Sequence, residues 1–138
     1  MTPIKDQGKC GSCWAFSTTG GIEGLKQVTE GSLESFSEQQ LVDCSSQYGN
    51  NGCNGGLMDN AFRYIKAKGI VHEDEYTAYS AKQHFCSKKK IVDGYKISGY
   101  TDIKQCSDLI TSLEGRPISV AVDASNWQHY GGEVFTNC

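Results

Sequence analysis

The number of cysteines limits what this chain can fold into more than any other feature of its sequence. Seven cysteines occur in 138 residues, a density typical of proteins whose disulfides form in an oxidising compartment. Disulfides use cysteines in pairs, so an odd count leaves at least one thiol free, reactive or paired outside this sequence. The chain is therefore expected to combine disulfide bridges with a cysteine that has another role.

Charge and hydropathy argue against two classes of partner. The net charge is −3 at pH 7, and basic residues are scattered apart from Lys88, Lys89 and Lys90, so we expect no nucleic-acid partner. The longest apolar stretches, such as residues 118–122, are far shorter than the roughly 20 residues of a membrane-spanning helix, and we expect no membrane partner. No secretory signal follows Met1, so any targeting segment is expected to lie outside this sequence.

Apolar periodicity predicts helices in the first part of the chain. Apolar residues at helical spacing begin after Ser12, and Gly31 is placed to end that helix. Ser37 and Gln40 have the spacing of a capping box. They predict a second, short helix that carries Cys44.

A third helix is predicted over about residues 58–69, and the pattern changes after it. Residues 91–100 carry aromatic and β-branched side chains between glycines, and residues 118–122 alternate apolar with smaller or polar side chains. Both segments therefore predict strands. A short helix is predicted between them, at about residues 108–113.

The order of these elements predicts an α+β protein with two lobes, because helices come first and strands second. Residues 1–96 form the predicted helical lobe, complete or nearly so, which carries the nucleophile described next. Residues 97–138 form the predicted β lobe. That lobe is expected to be incomplete, because so few residues cannot close a sheet around a core of their own.

Cys13 is the cysteine best placed for chemistry. In the first turn of the predicted helix, backbone N–H groups and the positive end of the helix dipole favour its thiolate, which is the nucleophilic form. Acyl transfer also needs donors for the carbonyl oxygen as that atom becomes negative. The Gln7 side chain, a few residues upstream, is placed to join the Cys13 N–H in that role.

Three ordered motifs give the chain a family resemblance. Residues 10–14 read CGSCW, residues 37–44 read SEQQLVDC, and residues 52–59 read GCNGGLMD. The first matches the signature around the nucleophile of papain and the cathepsins, and the other two resemble cathepsin L. The sequence thus resembles the papain-like cysteine proteases, which implies a two-lobe fold whose C-terminal β-barrel lobe is truncated here.

The resemblance implies specific roles for the motif residues. Cys13 would attack a peptide carbonyl as half of a thiolate–imidazolium pair and form an acyl-enzyme, with Gln7 helping to bind the oxyanion. Gly11, Gly55 and Gly56 would lie against the substrate backbone, where the absence of side chains permits close approach. The implied activity is that of a cysteine endopeptidase without a cofactor or metal.

The resemblance also implies a substrate preference and a set of partners. Leu57, Met58 and Ala121 match positions that shape the pocket for the second residue before the cut, which would favour apolar or aromatic side chains. Without the resemblance, Leu57 and Met58 would be expected only to pack the start of a helix. The implied partners are polypeptide substrates, and a prosegment or protein inhibitors in the cleft, for a monomer that is lysosomal, vacuolar or secreted.

The family pattern accounts for most of the other cysteines. It implies two bridges, Cys10–Cys53 and Cys44–Cys86, and a partner for Cys138 outside this sequence. Cys106 has no counterpart in the pattern. It is expected to be a buried or free thiol, with a non-native pairing to Cys138 as the alternative.

The catalytic histidine and its asparagine are expected roughly 130–150 residues after the nucleophile, a range that begins past the last residue. His72 and His84 are expected to be solvated surface residues. His129 is the best substitute base, although it precedes the family's position. We therefore predict little or no peptidase activity from these residues alone. Residues 76–79 read YTAY where family members often have Tyr-Pro-Tyr, so the resemblance does not predict the structure of that loop.

Three other interpretations remain at the level of sequence. Cys10 and Cys13 form a C-x-x-C pair of the kind used in thiol-disulfide exchange, although that chemistry usually occurs in a βαβ context. Four thiolates can also hold a structural zinc, although the later cysteines form no second close pair. A non-catalytic relative would keep the fold and use the cleft only to bind peptides.

Overall fold

The computed structural model describes residues 2–134, and its regular elements are helical. The longest helix begins at Cys13, and the fourth lies well apart from the others in sequence. Short 3-10 turns occur at Ser46–Tyr48, Lys88–Lys90 and Trp127–His129. The α-helices are α1 (Cys13–Glu30), α2 (Glu38–Cys44), α3 (Met58–Lys68) and α4 (Cys106–Leu113).

The boundaries predicted for α1 and α2 are confirmed. α1 ends at Gly31, whose positive φ of 72° is the left-handed conformation that glycine adopts without strain. α2 is capped by Ser37, whose hydroxyl accepts a hydrogen bond from the Gln40 N–H at 3.1 Å. These local signals fix where the two helices lie along the chain.

α1, α2 and α3 pack around one apolar core. Its largest members lie on all three helices and on the segments that follow α1 and α3. Full burial of a large apolar side chain stabilises a fold by about 1.5–3 kcal/mol, so these residues hold the helices together. They include Trp14, Phe36, Leu41, Ile65 and Ile70, none more than 1% exposed.

A buried charge network ties the N-terminal segment to this core. Lys5 Nζ donates to Glu23 Oε1 at 3.0 Å and to Glu38 Oε1 at 2.6 Å, while the Thr19 hydroxyl donates to Glu38 at 2.7 Å. The Phe36 N–H donates to Glu23 at 2.9 Å. Burial alone would lower the pKa of Lys5, but the hydrogen bonds and charges of the two glutamates outweigh burial and raise it.

The prediction of strands is wrong for the residues that the structure describes. Residues 91–100 contribute a single antiparallel bridge between Ile70 and Tyr95, with N–H to carbonyl distances of 2.9 and 2.7 Å. Residues 118–122 belong to no strand, and Val120 and Val122 are exposed. Alternation predicts which side chains share a face, but a strand exists only where another strand pairs with it.

We keep the predicted division after residue 96 and call residues 2–96 the helical region and residues 97–134 the C-terminal region. The C-terminal region touches the helices at few points: the Ser119 hydroxyl donates to the Ser17 carbonyl at 2.8 Å, and the Tyr100 ring stacks on Phe62. α4 starts two residues earlier than predicted and is mostly exposed. No helix in the described part of the chain is long and apolar enough to span a membrane.

Candidate active site

Cys13 is an exposed free thiol and the first residue of α1. The helix starts cleanly there, because the Ser12 carbonyl accepts hydrogen bonds from the N–H groups of Ala15 at 2.8 Å and Phe16 at 3.3 Å. Cys106 is the other free thiol in the described part of the chain, is also exposed and also begins a helix. Position at a helix start therefore does not by itself single out Cys13.

Gln7 lies in an irregular segment just before Cys13, the predicted nucleophile, and its side chain is held in place. The amide Nε2 donates to the Cys10 carbonyl at 2.9 Å, and that carbonyl also accepts from the Ser12 N–H at 2.8 Å. A side-chain amide nitrogen carries two protons. The hydrogen bond to Cys10 uses one of these protons and orients the Gln7 amide. The second proton is the one that the predicted oxyanion role would use.

The segment just before Cys13 is joined in two ways to the loop that carries Gly55 and Gly56. Cys10 and Cys53 form a disulfide, and the Gly11 N–H donates to the Cys53 carbonyl at 2.8 Å within a parallel bridge to Asn54. A Cβ atom at Gly11 would lie 2.6 Å from that carbonyl oxygen. Only glycine permits this approach, so packing against the Cys53 backbone explains why residue 11 is a glycine.

Gly55 and Gly56 differ in what surrounds them. A Cβ atom at Gly56 would lie 2.6 Å from Asn50 Oδ1 and 2.8 Å from the Trp14 ring, and the same Asn50 oxygen accepts from the Leu57 N–H at 2.9 Å. A Cβ at Gly55 would meet nothing within 4 Å, although its φ of 110° also favours glycine. Gly56 is therefore required by packing, whereas Gly55 borders open space.

The three residues predicted to shape a substrate pocket lie in different environments. Leu57 is 60% exposed and Ala121 is exposed, while Met58 is half-buried against the core. A groove of about 850 Å³ between α1, α3 and residues 97–120 is lined partly by Met58. Leu57 and Ala121 do not line that groove, so the structure does not bring the three together in it.

The histidines of the described residues interact with other groups or lie on the surface. His72 Nε2 lies 3.2 Å from Glu34 Oε2, so His72 is half-buried and paired rather than simply solvated. His84 Nε2 shares a hydrogen bond with the Ser80 hydroxyl at 2.8 Å and is exposed. His129 ends an exposed 3-10 turn.

The remaining cysteines bear on the other interpretations of the sequence. Cys44 and Cys86 form the second bridge that the family resemblance implies. Cys10 is bonded to Cys53, whereas thiol-disulfide exchange through the C-x-x-C sequence needs a bond to Cys13. The four bonded cysteines also supply no thiolates for a zinc ion. Cys138 lies outside the described residues.

Sequence reasoning missed one contact at this site. The Tyr79 hydroxyl donates to the Gln7 carbonyl at 2.7 Å and lies 2.5 Å from the Ser12 hydroxyl. Tyr79 is 67 residues from Ser12, and no local pattern places side chains that far apart in the chain. The only signal was that residues 76–79 depart from the family pattern.

The chain is similar to known proteins along nearly its whole length. The family model described as papain family cysteine protease matches residues 1–138. Cathepsin L1 of Drosophila melanogaster is 48% identical over 142 residues, a match that covers 98% of this chain and 38% of that protein. The cathepsin L-like proteinase of Fasciola hepatica is also 48% identical, with coverage of 98% and 42%. The chain thus spans about two fifths of the length of these relatives.

Solved structures resemble the fold as well. Digestive procathepsin L 3 of Tenebrio molitor larval midgut has a TM-score of 0.66 and 48% identity, covering 72% of this chain and 32% of that one. The Carica candamarcensis cysteine protease CMS1MS2, solved in complex with E-64, has a TM-score of 0.66 and 36% identity, covering 72% and 46%. Because the family model matches residues 1–138 of this chain, the chain belongs to the papain family of cysteine proteases.

Proposed function

We propose that this chain supplies the nucleophile half of a cysteine endopeptidase. The observation that carries the proposal is the exposed free thiol of Cys13 at the start of α1, preceded in the chain by a Gln7 amide that donates to the Cys10 carbonyl. The backbone N–H groups and the positive end of the helix dipole stabilise negative charge at the start of α1. A nucleophile and an oxyanion donor therefore lie on one short segment of chain.

The proposed reaction is acyl transfer to sulfur. The Cys13 thiolate attacks the peptide carbonyl carbon, an S–C bond forms, and the carbonyl electron pair moves to oxygen, where the Cys13 N–H and the second Gln7 amide proton stabilise it. Collapse of this intermediate breaks the C–N bond once the leaving amine receives a proton, and water then hydrolyses the thioester.

Proton transfer in this reaction calls for an imidazole beside Cys13. His72 is paired with Glu34 and His84 with Ser80, and His129 lies in an exposed turn. We propose that the base belongs to a part of the protein beyond these residues. We expect the chain alone to cleave a fluorogenic Phe-Arg peptide at background rate. Turnover near that of a complete relative would contradict this expectation.

The proposed substrate is an extended polypeptide with an apolar or aromatic side chain two residues before the cut. Gly11 and Gly55 offer a backbone edge without side chains, and exposed Leu57 offers apolar surface next to them. A prosegment or protein inhibitor would occupy the same edge, and the similarity to a procathepsin supports a prosegment as partner. Two disulfides support a lysosomal, vacuolar or secreted location.

Alkylation of the thiols tests the proposed nucleophile. We expect iodoacetamide at mildly acidic pH, followed by peptide mapping, to label Cys13 about two- to fivefold faster than Cys106. Cys106 is a matched control because it also begins a helix, but one that is short and mostly exposed, where water screens the helix field. Labelling of Cys13 no faster than Cys106 or glutathione would overturn the proposal.

A further inference from the structure

The Tyr79 hydroxyl links two residues that both precede Cys13 in the sequence. It lies 2.7 Å from the Gln7 carbonyl oxygen and 2.5 Å from the Ser12 hydroxyl. A phenol has one proton, and a carbonyl oxygen only accepts, so Tyr79 donates to Gln7 and Ser12 donates to Tyr79. The direction of the relay from Ser12 through Tyr79 to Gln7 is therefore fixed.

The Tyr79 ring makes a further contact on the other side of Cys13. It packs edge-on against Phe16, with ring centroids 5.0 Å apart and an interplanar angle of 83°, a favourable geometry for aromatic pairs. Phe16 lies in the first turn of α1, and Ser12 is its N-cap. One side chain thus contacts the residue just before Cys13, a residue one turn later, and the Gln7 backbone.

Gln7 needs such an anchor because its segment has no regular structure. Residues 2–9 contain no helix or strand, and Gly8, the next residue, has a left-handed φ of 58°. The Gln7 side chain is held by the Cys10 carbonyl, but that contact is only three residues away. The Tyr79 hydroxyl supplies a long-range contact that holds the main chain of Gln7 relative to α1.

We propose that Tyr79 is a positioning residue, which sets the distance between the Gln7 amide and the Cys13 sulfur so that both reach one carbonyl group. This inference rests on the proposed function, because it assigns Gln7 to the oxyanion. Tyr79 touches no reacting atom. Its effect is transmitted through Gln7 and Ser12.

Two reagents separate oxyanion binding from thiol reactivity. With N-acetyl-phenylalanyl-glycinal, sulfur adds to the aldehyde carbon, the C=O π pair moves to oxygen, and the thiol proton ends on that oxygen, giving a hemithioacetal whose oxygen occupies the oxyanion position. With iodoacetamide, sulfur displaces iodide at a CH₂ group and no oxyanion forms. Loss of Gln7 positioning is expected to affect the first reaction and spare the second.

The test compares four forms of the chain with wild type: Y79F, Q7A, the double variant Y79F/Q7A, and Y95F. We expect Y79F to weaken the aldehyde adduct about three- to tenfold, the cost of one lost hydrogen bond, and Q7A to weaken it at least as much. Iodoacetamide rates should stay within about twofold. Y95F removes a hydroxyl bonded to Glu30 on the surface and should leave both reactions unchanged.

Each other outcome overturns a defined part of the argument. If Q7A weakens the adduct but Y79F does not, or if the two losses add in the double variant, Tyr79 does not act through Gln7 and the inference fails alone. If Y79F weakens the aldehyde adduct and slows alkylation by the same factor, the hydroxyl holds the whole site rather than Gln7, and the inference fails. If Q7A has no effect, the oxyanion role of Gln7 fails, and the inference fails with it. If wild type forms no adduct, the proposed function fails, and the inference that rests on it fails as well.

Discussion

The helical region and the C-terminal region both carry apolar residues at regular spacing, but only one of them buries these residues. Leu41 and Ile65 are fully buried among α1, α2 and α3, whereas Ile110 in α4 and Val122 are more than half exposed. Both disulfides also lie within the helical region. The difference teaches that a pattern marks a face, while burial requires a second surface to cover it.

The largest expected effect tests that difference directly, with one substitution made in each region. Leu41→Ala should lower the free energy of unfolding by about 2–5 kcal/mol, because it leaves a cavity in the core. Leu113→Ala removes the same atoms from a half-exposed position in α4 and should cost less than about 1 kcal/mol. Urea unfolding followed by circular dichroism measures both, and equal losses would break the comparison.

Removal of a disulfide should have the next largest effect. The double variant C44A/C86A opens a bridge that spans 42 residues and should lower the free energy of unfolding by about 2–4 kcal/mol. C106A changes the free thiol of the C-terminal region and should stay within about 0.5 kcal/mol of wild type. A loss in C106A as large as in the double variant would mean that the C-terminal region contributes more to the fold than its exposure indicates.

The smallest effect concerns two carboxylates whose pKa values shift in opposite directions. Burial raises the pKa of Glu38, despite its hydrogen bonds from Lys5 and Thr19. In the C-terminal region, hydrogen bonds from the hydroxyl and N–H of Ser125 lower the pKa of exposed Asp123. NMR titration of the side-chain carboxyl carbons should place Glu38 above and Asp123 below their ordinary values of about 4.3 and 3.9.

The sign of the Glu38 shift has a consequence for stability. A raised pKa means that folding favours the protonated carboxyl, so this stabilisation is fully present below the unfolded-state pKa and is lost as pH rises through the folded-state value. The free energy of unfolding of wild type, relative to E38Q, should therefore fall as pH rises through that window. For D123N the slope should have the opposite sign, and two slopes of the same sign would contradict the prediction.

Local signals were enough to predict much of the helical region. Gly31 ends α1 and Ser37 caps α2 through contacts within a few residues, so the sequence contains the information. The strand at residues 118–122 was predicted from an equally regular pattern, but nothing in the described chain pairs with it. The pattern is local, whereas the pairing is not.

The candidate site divides in the same way. Cys13, Gln7 and the glycines were predicted from short segments of the sequence, and their roles stay predictions. Tyr79 was not, because its contact with Gln7 joins residues 72 positions apart. The boundary between residues 1–96 and 97–138 stays a prediction.

The two disulfides overlap along the chain, and this has a topological consequence. The loop closed by Cys10 and Cys53 contains Cys44, and the loop closed by Cys44 and Cys86 contains Cys53. A single backbone nick anywhere between residues 10 and 86 therefore leaves the two pieces covalently joined. No bridge among the described residues spans a nick after Cys86. The two disulfides therefore protect residues 10–86 against dissociation after a single cut, and the C-terminal region has no such protection from them.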